Sequence, residues 1–526
     1  MRSRQWLTAY NSQLLSLNTA AGCTMCGQRL FTAMKRVLLT ISAALVVLST
    51  SAQNQSMAEF RKKAMQEFRS FSKQAKSDYN EFRKKANAEY AEFLKEAWKD
   101  GKMEPAVAPP KIDPPVQPEV PPRVSDTPID PKPLQFGNLS PMPKPTTPKL
   151  PRLEVPTVPP EEEPLILKMP VQFYGETVKI RLRPGTGEVQ LADASEVTVS
   201  NAWKQLSDGR FELMLADCIA TRDKLHLCDW GYYLLTKTVA EEYCEAKNTN
   251  NSKMLQAYLL TQAGYKIRLA RSNNSIYIML PSELQIYNTP FFKMNDASYY
   301  IIDKSFTGPS IQVCQAAFPG EQGFSMSMPE QPQFPFVASN QRAYKSVKYP
   351  DLALQMSVNK NLMDFLNNYP RVSWEIHSYA SLSPQTKQAL YPVLKKAIDG
   401  KNEAQAANIL INFVQTGFSY KTDPEQFGYE RPLFGDETFF YPYSDCEDRA
   451  ILYSILVRDL MGLKVALVNY PNHLATAVCF KENAYGDYFN VSGNKYTICD
   501  PTYIGANIGM TMPDMDNNKA QLIILQ

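Results

Sequence analysis

Three residues of this 526-residue chain have the types and order that thiol chemistry needs: Cys446, His473 and Asp500. Cys446 sits in Tyr441-Pro442-Tyr443-Ser444-Asp445-Cys446-Glu447-Asp448-Arg449-Ala450, ahead of an apolar helical run, Ile451 to Met461, that stops at Gly462. Free cysteine is mostly protonated near pH 7, whereas the thiolate is the nucleophile. A helix N-terminus and a neighbouring imidazole both favour the thiolate, so this placement predicts a lowered thiol pKa. His473 can serve as base and acid. Asp500 can accept the other imidazole N–H and fix the ring's tautomer and orientation.

The surrounding elements suit that task. Ser444 or Asp445 can cap the helix, and Glu447 and Asp448 fall in its first turn, where carboxylates suit the dipole. Ala450, Ile451, Leu452, Ile455, Leu456 and Leu460 give it a face to bury. His473 opens a predicted strand, Leu474–Phe480, and Asp500 closes another, Lys495–Cys499. The Cys446 backbone N–H is one donor for an oxyanion. For the second, Tyr441, Tyr443 and Gln415 are candidates.

Residues 400–510 resemble the transglutaminase-like superfamily, a branch of the papain-like fold. The resemblance rests on Asp445-Cys446-Glu447-Asp448-Arg449-Ala450, on Gly462-Leu463-Lys464-Val465 turning into a strand, and on His473 and Asp500-Pro501-Thr502-Tyr503. Helix Glu403–Gln415, with Phe418-Ser419-Tyr420 after it, resembles the family's helix before the catalytic loop. The resemblance implies Cys446 as nucleophile, His473 as base and acid, Asp500 as orienter, and acyl transfer from amides through a thioester. Peptidase or amidase action on protein or cell-wall peptide is the expected outcome, with glutamine–amine cross-linking less favoured. A silent binding or scaffold protein of the cell envelope on the same fold is the alternative. Leu474-Ala475 after the histidine departs from the family's frequent aromatic and leaves the usual substrate wall unassigned.

A second copy of the pattern lies upstream. Met461-Gly462-Leu463-Lys464-Val465-Ala466-Leu467 overlays Ala263-Gly264-Tyr265-Lys266-Ile267-Arg268-Leu269, and at the same offset His473 falls on Ser275 and Cys446 on Asn248. With one residue of slippage, Asp500 falls on Asp303. This predicts an α+β chain with a degenerate transglutaminase-like domain over 165–345 and a catalytic one over 346–526. The first domain would begin with a β-rich stretch at Val171–Tyr174, Val178–Arg183, Val189–Leu191 and Glu196–Ser200.

Ahead of these, residues 57–100 carry an 11-residue repeat: Phe60, Phe71, Phe82 and Phe93, with Ala64, Ala75, Ala86 and Ala97. Eleven residues in three turns keep one stripe on a nearly straight helix, so a long helix able to self-associate is expected. Of 39 prolines, 21 fall between residues 101 and 170, which predicts an extended spacer over 101–164. Lys35-Arg36, the apolar run Val37–Leu48 and Ser49-Thr50-Ser51-Ala52 read as a cleaved export signal over 34–52, with 1–33 an over-extended start. A secreted or periplasmic location follows. No transmembrane helix is expected after cleavage, because the run is shorter than the ~20 residues a span needs.

Cys23 and Cys26 lie in the part expected to be absent. The seven remaining cysteines are an odd number, which suits one thiol kept free. With three histidines and no paired cysteine spacing, neither metal nor cofactor is expected. A net charge of +3 excludes nucleic acid as an evident partner.

Overall fold

A computed structural model describes residues 54–111, 130–141, 163–295 and 297–525. The start segment and the export signal lie outside these residues. The chain divides into two compact units, Met1–Glu96 with Ala316–Glu321, and Ala97–Gln315 with Gln322–Gln526.

In the first unit a helix runs Asn54–Glu96, 43 residues or ~65 Å. It stops short of the expected Asp100, because Trp98–Lys102 is a strand. Towards its end the buried positions are Ala86, Tyr90, Ala91 and Leu94, while Phe93 of the repeat is 54% exposed. Tyr90 meets the Phe318 ring edge-on at 5.4 Å. The 11-residue stripe therefore gives way at this end to a tighter face packed on the chain at 316–321.

The second unit is α+β and holds two large sheets and three two-stranded ones among the described residues. Strands in chain order are β1 (Trp98–Lys102), β2 (Lys132–Leu134), β3 (Asn138–Pro141), β4 (Leu167–Phe173), β5 (Glu176–Leu182), β6 (Arg268–Ser272), β7 (Ser275–Ser282), β8 (Phe291–Met294), β9 (Ala297–Tyr300) and β10 (Ser310–Cys314). After them come β11 (Arg342–Lys345), β12 (Ala353–Met356), β13 (Ser419–Tyr420), β14 (Tyr443–Ser444), β15 (Lys464–Tyr470), β16 (His473–Cys479), β17 (Asp487–Val491), β18 (Asn494–Cys499) and β19 (Gln521–Leu525).

The entry region differs from expectation in part. β4 and β5 form the expected hairpin. Residues 196–200, however, open helix Glu196–Leu206, whose Ser195 Oγ accepts the Thr198 N–H and whose Val199, Ala202, Trp203 and Leu206 are buried. Helical spacing of these apolar residues outweighs the β-branched local composition. Residues 189–191 form no strand.

The first sheet has the order β1-β10-β6-β7-β9-β8 and the second β3-β19-β15-β16-β18-β17-β2. Within each, the five strands after the preceding helix, β6–β10 and β15–β19, follow the same order, with every neighbour antiparallel. The registers also agree. Arg268 pairs with Met279 as Ala466 pairs with Ala477; Leu280 pairs with Tyr300 as Val478 pairs with Thr497. These are the correspondences that the sequence offset requires.

Both sheets curl until a segment from the N-terminal side spans their edges. β1 lies on β10, and Glu104 then bridges Phe291 of β8. In the second sheet β2 pairs with β17, and three residues later β3 pairs with β19. The proline-rich region is thus not spacer throughout. Pro133 and Pro141 sit in its edge strands β2 and β3, where a missing donor is tolerated. Leu134, Phe136 and Leu139 pack on a core that includes Val468, Ala477, Phe489 and Leu522, and Phe136 meets Phe489 edge-on at 6.0 Å. Replacing Phe136 and Leu139 with Asp should open this closure. The expected result is faster proteolysis within 130–141 and a Tm several degrees lower, with each deleted apolar contact costing about 1–3 kcal/mol.

Candidate functional site

The site is assembled by helix Cys446–Met461, with Asp445 as its N-cap, packed against β15 and β16, and by β18, which pairs with β16. His473 opens β16, and Asp500 follows β18 directly. His473 Nε2 lies 2.9 Å from Asp500 Oδ2. The other Asp500 oxygen accepts the backbone N–H groups of Thr502 (2.9 Å) and Tyr503 (3.2 Å), so the carboxylate is fixed on both sides. With Nε2 on Asp500, Nδ1 is left buried without a hydrogen-bond partner. Leaving such an atom unmatched costs ~1–3 kcal/mol.

Cys446 is fully buried. Its Sγ lies 3.3 Å from Glu447 Oε2 and also receives the backbone N–H of Leu474, the residue after His473. The thiol pKa is pushed well up, first by burial and then by the negative charges of Glu447 and Asp445. This reverses the lowering expected from the helix dipole alone. The first-turn carboxylates suit the dipole, but they stand against the sulfur, and in a buried setting that repulsion prevails.

Gln415 is not an oxyanion donor in this structure. Its Nε2 points to the carbonyls of Asp500 (3.1 Å), Tyr503 (2.8 Å) and Ala506 (3.0 Å), holding the loop after the aspartate. Tyr441 packs on Phe427 and beneath the Arg431 guanidinium. Tyr443 is exposed, with the Lys421 ammonium 5.3 Å from its ring centre.

The group that sequence reasoning missed is Tyr420. β13 pairs in parallel with β14, setting Tyr420 beside Ser444 at the entry to the Cys446 helix. Burial raises its pKa, with further contributions from Cys446, Asp445 and Glu447. Its hydroxyl is buried without a partner. The Arg449 guanidinium lies 5.1 Å over its ring and donates to Ser444 Oγ (3.3 Å), Gln415 O (3.4 Å) and Phe418 O (2.8 Å), which holds the element in place. Only the two-residue strand pairing reveals this proximity, and no sequence periodicity carries it.

Asp423, Asp445, Glu447 and Asp448 are buried together at the helix start, and none forms a salt bridge with a Lys or Arg among the described residues. Asp448 accepts the Leu433 N–H (2.8 Å) and the Asp445 N–H (3.3 Å), and Asp445 accepts the Asp423 N–H (3.2 Å). Burial and the charges of Asp445 and Asp448 push Asp423 up to about 10. Burial first, then neighbouring carboxylates, raise Glu447 and Asp448 as well. Oxygens of Asp423, Asp445 and Asp448 lie within 4.8 Å of one another, as do those of Asp423, Glu430 and Glu447. An all-oxygen set suits a hard cation such as Ca²⁺ or Mg²⁺. The sequence reading weighed only histidine and cysteine ligands, so residues able to hold a cation are present where none was expected.

In the first sheet the corresponding positions also converge. Asn248 Nδ2 donates to Asp303 Oδ1 at 3.2 Å, and Lys253 Nζ lies 2.7 Å from Asp303 Oδ2. Ser275 opens β7 as His473 opens β16. The seven cysteines in the described residues are all free thiols. Among the described residues no helix is long and apolar enough to cross a membrane.

No family model, curated protein or solved structure matches this chain.

The carboxylate cluster fixes a pH dependence. Asp423 has a folded pKa near 10 against ~3.9 unfolded, so between these values the folded state holds a proton that the unfolded state has lost. Its stabilising contribution is complete below pH ~3.9 and is lost as pH rises towards 10, at up to about 1.4 kcal/mol per pH unit. Thermal unfolding should show Tm falling from pH 5 to 9, with a shallower fall in Asp423→Asn. Ca²⁺ or Mg²⁺ should restore Tm most at the alkaline end if the cluster holds a cation.

Proposed function

We propose that this chain is an exported cysteine-nucleophile acyl-transfer enzyme, a peptidase or amidase, built on two copies of a papain-like, transglutaminase-like unit. The first copy has lost nucleophile and base. The shared strand order and register of the two sheets support the duplication. The buried His473–Asp500 pair carries the enzymatic reading, because it leaves Nδ1 unmatched in the same site as a helix-start thiol.

In this mechanism the thiol leaves Glu447 and gives its proton to His473 Nδ1. The thiolate attacks an amide carbonyl, and the Cys446 backbone N–H and the Tyr420 hydroxyl hold the oxyanion. The C–N bond breaks as the imidazolium protonates the departing amine, leaving a thioester. Water, deprotonated by His473, attacks the thioester; the carboxylic acid leaves and the thiol is restored. Asp500 keeps Nε2 protonated throughout, which directs Nδ1 to the reacting atoms.

The full burial of Cys446 and its raised pKa favour a second reading, a silent binding or scaffold protein. Alkylation separates the two. In the enzyme, iodoacetamide should modify Cys446 faster than the other six thiols, and Glu447→Gln should speed this most at high pH, where Glu447 would otherwise ionise beside the sulfur. His473→Ala should slow it. Uniform slow labelling unaffected by either change would leave only the scaffold. With a peptide substrate, Tyr420→Phe should lower kcat by about 10²–10³ with little change in KM, as loss of one oxyanion donor does.

A further inference from the structure

A large cavity lies away from Cys446. It is ≈ 860 Å³ and opens at the first sheet, over Asn248, Lys253 and Asp303, where the degenerate copy has its counterpart of the thiol site. That volume is in the range of ligand pockets, ~300–1,000 Å³.

Its charges do not balance. Each of its three carboxylates faces a base: Glu241 with Lys237 at 4.0 Å, Asp303 with Lys253 at 2.7 Å, and Glu437 with Arg431 at 2.5 Å. Lys247, Lys304 and Arg371 also line the cavity and have no carboxylate partner among the described residues. A second observation points the same way. Two donors on lining residues, Trp230 Nε1 and Arg431 Nη1, are buried without an acceptor, although each residue is more than nine-tenths buried. Unmatched donors and surplus cations together call for a ligand that brings acceptors and negative charge. The walls add flat apolar surface. Trp230 and Tyr233 are stacked 4.9 Å apart, and the Arg371 guanidinium lies 4.1 Å over the Tyr429 ring.

The cavity has a direction. Tyr287, Arg371 and Pro432 also wall a small gap that includes Glu447, the carboxylate on the Cys446 sulfur. Through these three residues the cavity borders the carboxylate next to the thiol.

We propose that this cavity is a receptor site for an acidic peptide segment, whose carboxylates meet Lys247, Lys304, Arg371 and the free donors of Arg431 and Trp230. The degenerate copy thus recognises what the other copy processes. The peptide class rests on the acyl-transfer reading; the preference for carboxylates does not.

The test is fluorescence anisotropy on full-length Cys446→Ala protein, which leaves the probe uncut. The probes are a labelled Asp/Glu-rich hexapeptide, its Asn/Gln counterpart and a Lys-rich counterpart. The acidic peptide should bind at least tenfold more tightly than either. Lys247→Glu/Lys304→Glu should lose that margin, whereas Lys395→Glu/Lys396→Glu, an equal charge change on the exposed face of another helix, should keep it. Equal affinity for the acid and amide peptides, or equal losses in both double variants, would overturn the proposal. So would inorganic pyrophosphate displacing the labelled acidic peptide at a tenth of the concentration that the unlabelled peptide needs. Because turnover is not measured, failure here and failure of Cys446 alkylation remain separate results.

Discussion

Four carboxylates buried at one helix start, without an ion pair of their own, set the conditions for the rest of the site. Isolated ionised groups in such a place are costly, so they hold protons or attract a cation. Because Glu447 is one of them, the sulfur of Cys446 is governed by the state of the cluster as well as by the imidazole. The thiol is hydrogen-bonded to Glu447, and His473 Nδ1 has no partner, so no hydrogen bond joins sulfur and imidazole in this structure.

The histidine–aspartate pair depends on a different set of restraints. Asp500 is held by two backbone N–H groups, and its loop is tied by Gln415 from the preceding helix. These contacts explain why a glutamine that looked like a reaction partner is better read as a positioning residue. The candidates come from three separate elements: antiparallel pairing of β16 with β18 brings two strands together, and the helix packs on β16 and its other neighbour β15.

Much of this was legible in the sequence. The turn at Gly462 into a strand, the capped helix at Asp445 and the matching offset upstream all rest on patterns that local residues impose, and the register of both sheets follows that offset. What escaped has a common physical cause. Tyr420 and the β2 and β3 pairings depend on contacts between distant residues with no local pattern. The acidic first turn reads as a solvated helix start, and only the packing of 423–434 over it makes those carboxylates interior. Glu196–Leu206 shows the opposite case, in which β-branched residues concealed a helical face that burial selected.

The closing strands also bear on when this protein can fold. Gln521 meets Ser140 across 381 residues of sequence, and β1 lies on β10 more than two hundred residues away. Contacts so remote form slowly, since loop closure must be met before pairing gives any return. The second sheet therefore cannot take β3 at its edge until β19, hundreds of residues further on, has been made.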